Sequence, residues 1–351
     1  MSLLSLKAAA GQRFRTARSR LRGSAIALTY HRVAELDRDP QLLCVSPARF
    51  AEQVRLLSER YTILTAGGLV DLMAHRRRFP DRAVVITLDD GYEDVLTHAK
   101  PVLESLGIRA TAFVTSAALC GGEELWWDEV DRVVLSPGVL PARLRLGTGA
   151  GEFAWDFTGD PVWTDADAER EAGWSIAKAP RSERQRLYLS LCAFMRPLAG
   201  EARLAALRSL REQAGVERAV RPTRRTLEAP QLGLLEAGGV IEVGAHTVSH
   251  SLLGAHDRDE QHREVDGGKH AVEDAIGHPI SAFSYPHGGA DAFTALSERV
   301  VREAGFAGAY ANTFGVTLPW MDRYAIPRCP TEDIDGEEFL ARMERWFDVA
   351  R

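Results

Sequence analysis

Residues 84–95 read VVITLDDGYEDV, an apolar run that stops at two adjacent carboxylates, Asp89 and Asp90. Asp-Gly after such a run is a hairpin signal. A hairpin needs its partner strand within a few residues, yet the residues after Gly91 fall into a helical pattern over about 93–105, and strand character returns only at ATAFVT, 110–115. That order is β-α-β, which requires a parallel crossover. AVVITL (83–88) has apolar residues on both faces of the pleat, as a strand covered by helices on both sides must. The two acids therefore stand at the carboxyl end of a central parallel strand, where sheets and barrels of this kind carry their chemistry.

Outward from this stretch the alternation continues. AIALTY (25–30) is a strand that ends at His31, and Ser46-Pro47 opens an amphipathic helix through about Tyr61, with Ser as N-cap and Pro at the first helical position. Beyond residue 226 come a helix over 229–238, the strand VIEVGA (240–245), a polar helix over 257–276 and the strand AFSYP (282–286). A helix over 291–304, a strand near 307–311, RYAIP (323–327) and a closing helix over 336–349 complete the series. Between these halves the alternation breaks. Residues 119–225 hold Trp126-Trp127, a Gly/Pro-rich stretch, an acidic patch and an arginine-rich segment. The organisation expected is a basic arm (1–24), a first part of an α/β barrel (25–118), a largely helical insertion or lid (119–225) and a second part of the barrel (226–351).

Composition narrows the function. With 351 residues, 45% hydrophobic and 26% charged, the chain is an ordinary globular protein, and a net charge of −6 argues against a general nucleic-acid binder. Residues 1–22 carry Lys7, Arg13, Arg15, Arg18, Arg20 and Arg22 without an acid, and lack the apolar core of about 7–15 residues that a secretory signal needs. A cytoplasmic protein is expected, with this basic stretch as its one means of peripheral membrane contact. No apolar run approaches the roughly 20 residues of a membrane span. Cys44, Cys120, Cys192 and Cys329 form no CxxC and read as buried free thiols. Residues 181–225 hold eleven Arg against four Glu. Arg181, Arg184, Arg221, Arg224 and Arg225 are expected either to meet an anionic part of a substrate or to form a solvated basic face.

A second strand ends in polar chemistry: VIEVGAHTVSH delivers His246 and His250. A His pair four apart is often incidental. Joined to an acid at the end of another parallel strand, it supplies three ligands to a divalent ion and leaves positions open for water and substrate. The spare carboxylate then has a task, since one Asp cannot easily both ligate the ion and take a proton from water.

LTYHRV (28–33), TLDDGYED (87–94), GAHTVSH (244–250) and FSYPHGG (283–289), in this order, resemble the polysaccharide deacetylase family, the NodB-homology or carbohydrate esterase family 4 enzymes. The resemblance implies a distorted (β/α)7 barrel and hydrolysis of an N-acetyl group on an amino sugar, with zinc or a related divalent ion. It implies Asp90, His246 and His250 as metal ligands and Asp89 as general base. It also implies that Tyr285, Pro286 and His287 line the substrate groove, with the backbone N–H near Tyr285 at the oxyanion. Two departures follow. The family's Arg in the third motif is replaced by Ser284, and Arg328, in IPRCP, is the candidate substitute. No His follows His287, so the late general acid is missing, and His31 is preferred for that role because His287 precedes a Gly-Gly turn. Trp126 and Trp127 are candidates for a sugar-stacking wall, one expected in the core and one exposed. The substrate expected is an intracellular nucleotide-linked, lipid-linked or small glycoside. Other C–N hydrolases of the fold (formamide, imide, ureide) and a lapsed carbohydrate-binding protein are the alternatives.

Overall fold

The computed structural model describes residues 23–149, 151–289 and 291–349. The basic stretch from Lys7 to Arg22, and with it the expected membrane contact, lies outside the described residues. Nine strands form one sheet: β1 (Ala25–Tyr30), β2 (Thr62–Leu64), β3 (Ala83–Leu88), β4 (Ala110–Val114), β5 (Ile241–Ala245), β6 (Ala282–Ser284), β7 (Gly308–Ala311), β8 (Ile326–Pro327) and β9 (Cys329–Pro330). Their order is β8-β7-β6-β5-β4-β3-β1-β9, with β2 paired to the first half of β3, and every pairing is parallel. Only Arg328 separates β8 from β9. Ile326 and Pro327 pair with Tyr310 and Ala311 of β7, while Cys329 and Pro330 pair with Leu28 and Thr29 of β1. One short segment thus bridges the two ends, and the sheet is the nearly closed, distorted barrel expected. With 326–330 taken as one strand and β2 set aside, the ring has seven members.

β1 and β3 are buried along their whole length, as strands enclosed by a barrel core and a helical layer must be. Each fully buried Val, Leu or Ile there contributes about 1.5–3 kcal/mol of transfer free energy. The helix Pro47–Arg60 starts where Ser46 caps the amide of Arg49, and turns Phe50, Val54 and Leu57 onto the barrel. β2 and the helix Ala66–Ala74 have no counterpart among the expected elements. Gly67 and Gly68 weaken that helix's propensity, and the cap on Thr65 with burial of Leu69, Val70 and Met73 overrides them.

The insertion has a hydrophobic core of its own. The helices Trp126–Val134, Glu183–Met195 and Gly200–Ala214 pack with a hairpin, Arg143–Thr148 against Gly151–Asp156. The hairpin is an addition to the largely helical expectation. RLRLGT alternates, and Leu144 and Leu146 join Leu187, Tyr188, Leu191 and Leu210 in the core while Arg143 and Arg145 face out. All four cysteines are free, and Cys120 is exposed where burial was expected. No helix among the described residues is long and apolar enough to cross a membrane.

Candidate active site

The end of β3 separates its two acids. Asp89 turns to the barrel interior, where Arg328 meets it with two parallel hydrogen bonds. Nη1 donates to Oδ1 at 2.7 Å and Nη2 to Oδ2 at 2.6 Å, with both side chains fully buried. Nη1 also donates to Thr87 Oγ1 (3.0 Å) and Nη2 to Ser284 Oγ (2.8 Å), and the Ser284 hydroxyl donates to Asp89 Oδ2 (3.2 Å). Ser284 therefore leaves room at the barrel axis for a guanidinium that arrives from the seam. Burial pushes the Asp89 carboxyl up, but the Arg328 charge, with His246 and the Arg328 hydrogen bonds, outweighs it and holds Asp89 below the ordinary carboxylate range.

Asp90 turns the other way. Its backbone is left-handed (φ 76°), and Oδ1 points at His246 Nε2 (3.4 Å) and His250 Nε2 (3.2 Å). Gly91 continues the turn with φ 81°, where a Cβ would stand 2.9 Å from Val114 Cγ1, which is why the pair of acids is followed by glycine. His246 Nδ1 donates to Ser284 O (2.8 Å), so its Nε2 lone pair faces Asp90. Burial pushes His250 down to about 4 against the pull of Asp90, which keeps that imidazole neutral. Asp90 Oδ1 is buried without a hydrogen-bond donor. One carboxylate oxygen and two imidazole nitrogens thus converge within 4.8 Å of one another, and a cation satisfies such a set of acceptors. The residues fit a divalent metal.

These groups form the floor of a cavity of about 510 Å³. His31 borders it, and so does His287. The Gly-Gly turn does not carry His287 away. A left-handed backbone (φ 68°) swings its ring to 4.4 Å from that of His250, centroid to centroid. Asp90, Thr247, His250 and His287 are all non-glycine residues with positive φ, a concentration of strained backbone that marks functional sites. Trp126 and Trp127 both border the cavity and both are buried, so the expectation of one exposed indole is corrected. Trp127 lies 4.6 Å from the His250 ring and donates to Tyr92 Oη (2.9 Å), which donates to Asp128 (2.6 Å).

Tyr285 and Pro286 do not border the cavity. Side chains alternate along a strand, and with Ser284 facing the axis Tyr285 must face outward. It stacks on Phe293 at 4.3 Å, its hydroxyl donates to Tyr324 O (3.1 Å), and its amide donates to Tyr310 O (2.9 Å), so that amide is not free for an oxyanion. The five arginines expected at an anionic substrate group are also elsewhere. Arg184 donates to the carbonyls of Val134 (2.9 Å), Gly138 (2.7 Å) and Pro161 (2.6 Å), and Arg221 pairs with Glu124 (2.8 Å) and Asp131 (2.7 Å). Arg224 lies against Asp128 and Asp37, Arg225 against Glu228 and Glu93, and Arg181 does not reach the cavity. The arginine that does border it is Arg196, paired with Asp291 (2.8 Å).

A family model described as polysaccharide deacetylase matches residues 76–139 and 218–309, the segments that hold Asp89, Asp90, His246 and His250. Solved structures share the fold. The Streptococcus pyogenes deacetylase PplD in complex with acetate aligns with a TM-score of 0.57 at 13% identity, covering 92% of this chain and 98% of that one. IcaB from Ammonifex degensii aligns at 0.55 and 16% identity, covering 92% and 97%, and a de-N-acetylase from Aggregatibacter actinomycetemcomitans at 0.53 and 12%, covering 92% and 100%. No curated protein sequence matches the chain.

Proposed function

We propose that this chain, which belongs to the polysaccharide deacetylase family, is a metal-dependent hydrolase that removes an N-acetyl group from an amino sugar. The observation that carries the reading is the division of labour between two neighbouring acids, Asp89 locked to Arg328 and Asp90 turned to two histidines. Asp90, His246 and His250 would hold the ion, and zinc suits a carboxylate with two imidazoles and open positions. A divalent ion bound there supplies Lewis acidity toward the amide carbonyl and toward water. Asp89, kept ionised, takes the proton of the attacking water, and the two-pronged contact with Arg328 fixes the direction of its free lone pairs. A histidine returns a proton to the departing amine. His31 is assigned that role. Burial holds His287 well below the usual imidazole range, which leaves it uncharged and a poor donor near neutral pH.

The outer wall of the cavity is apolar, with Leu42 and Ile176 each more than 40% exposed at its edge and Leu189 beside them. Such a wall suits the apolar part of a lipid-linked or small glycoside, and Arg196, paired with Asp291, is the insertion arginine at its border. The test joins metal analysis of the purified protein to hydrolysis of a panel of N-acetyl amino sugars, with formamide, imide and ureide substrates as the other arms. One ion per chain, deacetylation of an amino sugar, and loss of both in His246→Ala are expected. Activity indifferent to chelator, or confined to the other arms, would refute the reading.

A further inference from the structure

Arg203 lies on the insertion helix Gly200–Ala214 in a place that helical periodicity reserves for an apolar residue. Ala206, Leu207 and Leu210 share its face and are buried; Arg203 is 2% exposed, while the adjacent Leu204 is 61% exposed. A guanidinium inside with a leucine outside runs against transfer free energy, so its contacts must account for it. Nε donates to Met195 O (3.1 Å) and Nη2 to Leu198 O (2.7 Å), while Nη1 donates to Ser249 O (2.7 Å) and, at greater length, to His250 O (3.4 Å). The last two carbonyls belong to the loop that joins the two candidate metal-binding histidines.

That loop needs holding. Thr247 and His250 both have left-handed backbones (φ 65° and 55°), and a β-branched residue is strained there. From the barrel side, Glu264 of the helix Arg258–Ile276 accepts from the amides of Val248 (3.0 Å) and Ser249 (2.8 Å) and from Ser249 Oγ (2.5 Å). Gly268 lets this helix come close, since a Cβ there would stand 2.8 Å from the Thr247 carbonyl carbon. Glu264 thus takes the loop's N–H groups and Arg203 its C=O groups, so that Ser249 is gripped from both sides. The two histidines differ in what orients them. His246 is aimed by its own hydrogen bond to Ser284 O, whereas His250 Nδ1 is buried with no partner. The direction of the His250 ring is therefore set by its backbone and by the rings packed on it. A buried positive charge beside a site for another cation is electrostatically unfavourable, which again points to a geometric reason for Arg203.

We infer that Arg203 is a positioning residue of the metal centre, through which the insertion sets the Ser249–His250 carbonyls and hence the aim of the His250 imidazole. The inference rests on the reading of Asp90, His246 and His250 as ligands. Arg184 is the control, a second buried arginine of the insertion whose acceptors, the carbonyls of Val134, Gly138 and Pro161, lie away from the metal loop. The full-length parent, Arg203→Lys and Arg184→Lys are stripped of metal and titrated with zinc against a chromophoric chelator. Their cobalt(II) spectra, melting temperatures and steady-state constants at saturating metal are then compared. Arg203→Lys should bind zinc at least tenfold more weakly, the usual scale for losing an outer contact of a metal ligand. It should also show an altered cobalt spectrum and a lower kcat at little-changed KM, while Arg184→Lys melts earlier with parental affinity and spectrum. Where Arg203→Lys does not fold, Arg203→Met goes through the same titration. Parental affinity and spectrum in the Arg203 variant, or an equal loss in Arg184→Lys, overturns the inference alone. A parent that binds neither ion overturns the metal reading and this inference with it.

Discussion

Both halves of the molecule bury charge, and they do so to opposite effect. In the insertion two buried arginines close on partners within it. Arg221 is met by Glu124 and Asp131, and Arg184 by three carbonyls. At the barrel mouth Arg328 is consumed by Asp89, and the adjacent Asp90 is left with two imidazoles and an oxygen that no donor meets. A high density of charge therefore says little about where chemistry sits. An excess of acceptors over donors, held in place by strained backbone, says much more.

The most severe way to break this comparison is to open the barrel's closed pair. Arg328→Ala would leave the Asp89 carboxylate buried and unpaired, at a cost of about 3–5 kcal/mol, and would abolish turnover. Arg328→Lys keeps the charge but cannot make both parallel contacts, so it should retain more stability than activity. Urea unfolding and hydrolysis rates on the same preparations check both. An Arg328→Ala protein as stable as the parent would mean that Asp89 is not held as the geometry indicates.

Much of the candidate site is legible along the chain because His31, Asp89 and His246 each follow directly on a strand. VVITL before Asp89 and VIEVGA before His246 are apolar runs whose polar terminations can only point one way in a parallel barrel. Arg328 is legible for the same reason, at the seam between β8 and β9. Tyr285 is misplaced when the FSYP motif is read as having one role, although alternation from Ser284 turns Tyr285 outward. His287 does border the cavity, and only the use of its Gly-Gly neighbours against it fails, because such glycines signal a turn without telling which way the preceding residue swings. The insertion's arginines cannot be assigned from composition, since Glu124, Asp128 and Asp131 precede Arg221 and Arg224 by about ninety residues. Arg203 does carry a signal. It occupies the apolar face of its helix while Leu204 does not, an inversion written into the order of residues 203–210. Glu264, one acid among several in a polar helix, carries none.

The second comparison lies within the site, between its two uncommitted histidines. His31→Ala should keep fold and metal while turnover falls about a hundredfold or more, the scale of a lost general acid. His287→Ala removes a neutral ring packed on His250 and should act chiefly through metal affinity. Reversed kinetic effects in the two variants would show that the proton donor is His287.

The smallest effect expected contrasts the acids of the two regions by the sign of their pH dependence. Asp89 and Asp90 are both held below the ordinary carboxylate range, so their stabilisation is complete above the unfolded value and is lost as pH falls through the folded one. Asp128, of the insertion, is the reverse. Burial pushes it from 3.8 to about 6, with the charges of Arg32 and Arg224 opposing only in part. A group that binds its proton more tightly in the folded state stabilises fully below the unfolded value and loses that contribution as pH rises. A rise of that size, at about 1.36 kcal/mol for each pH unit, bounds the loss at roughly 2–3 kcal/mol, between about pH 4 and 7. Subtracting the stability of Asp128→Asn from that of the parent, by urea unfolding at a series of pH values, cancels the opposing trend of Asp89 and Asp90 and isolates this contribution. The difference should decline across that window. A flat difference would place Asp128 as an ion among Arg32, Arg224 and Arg221 rather than as a protonated partner of Tyr92, and the insertion's charges would then be closed more completely than its burial suggests.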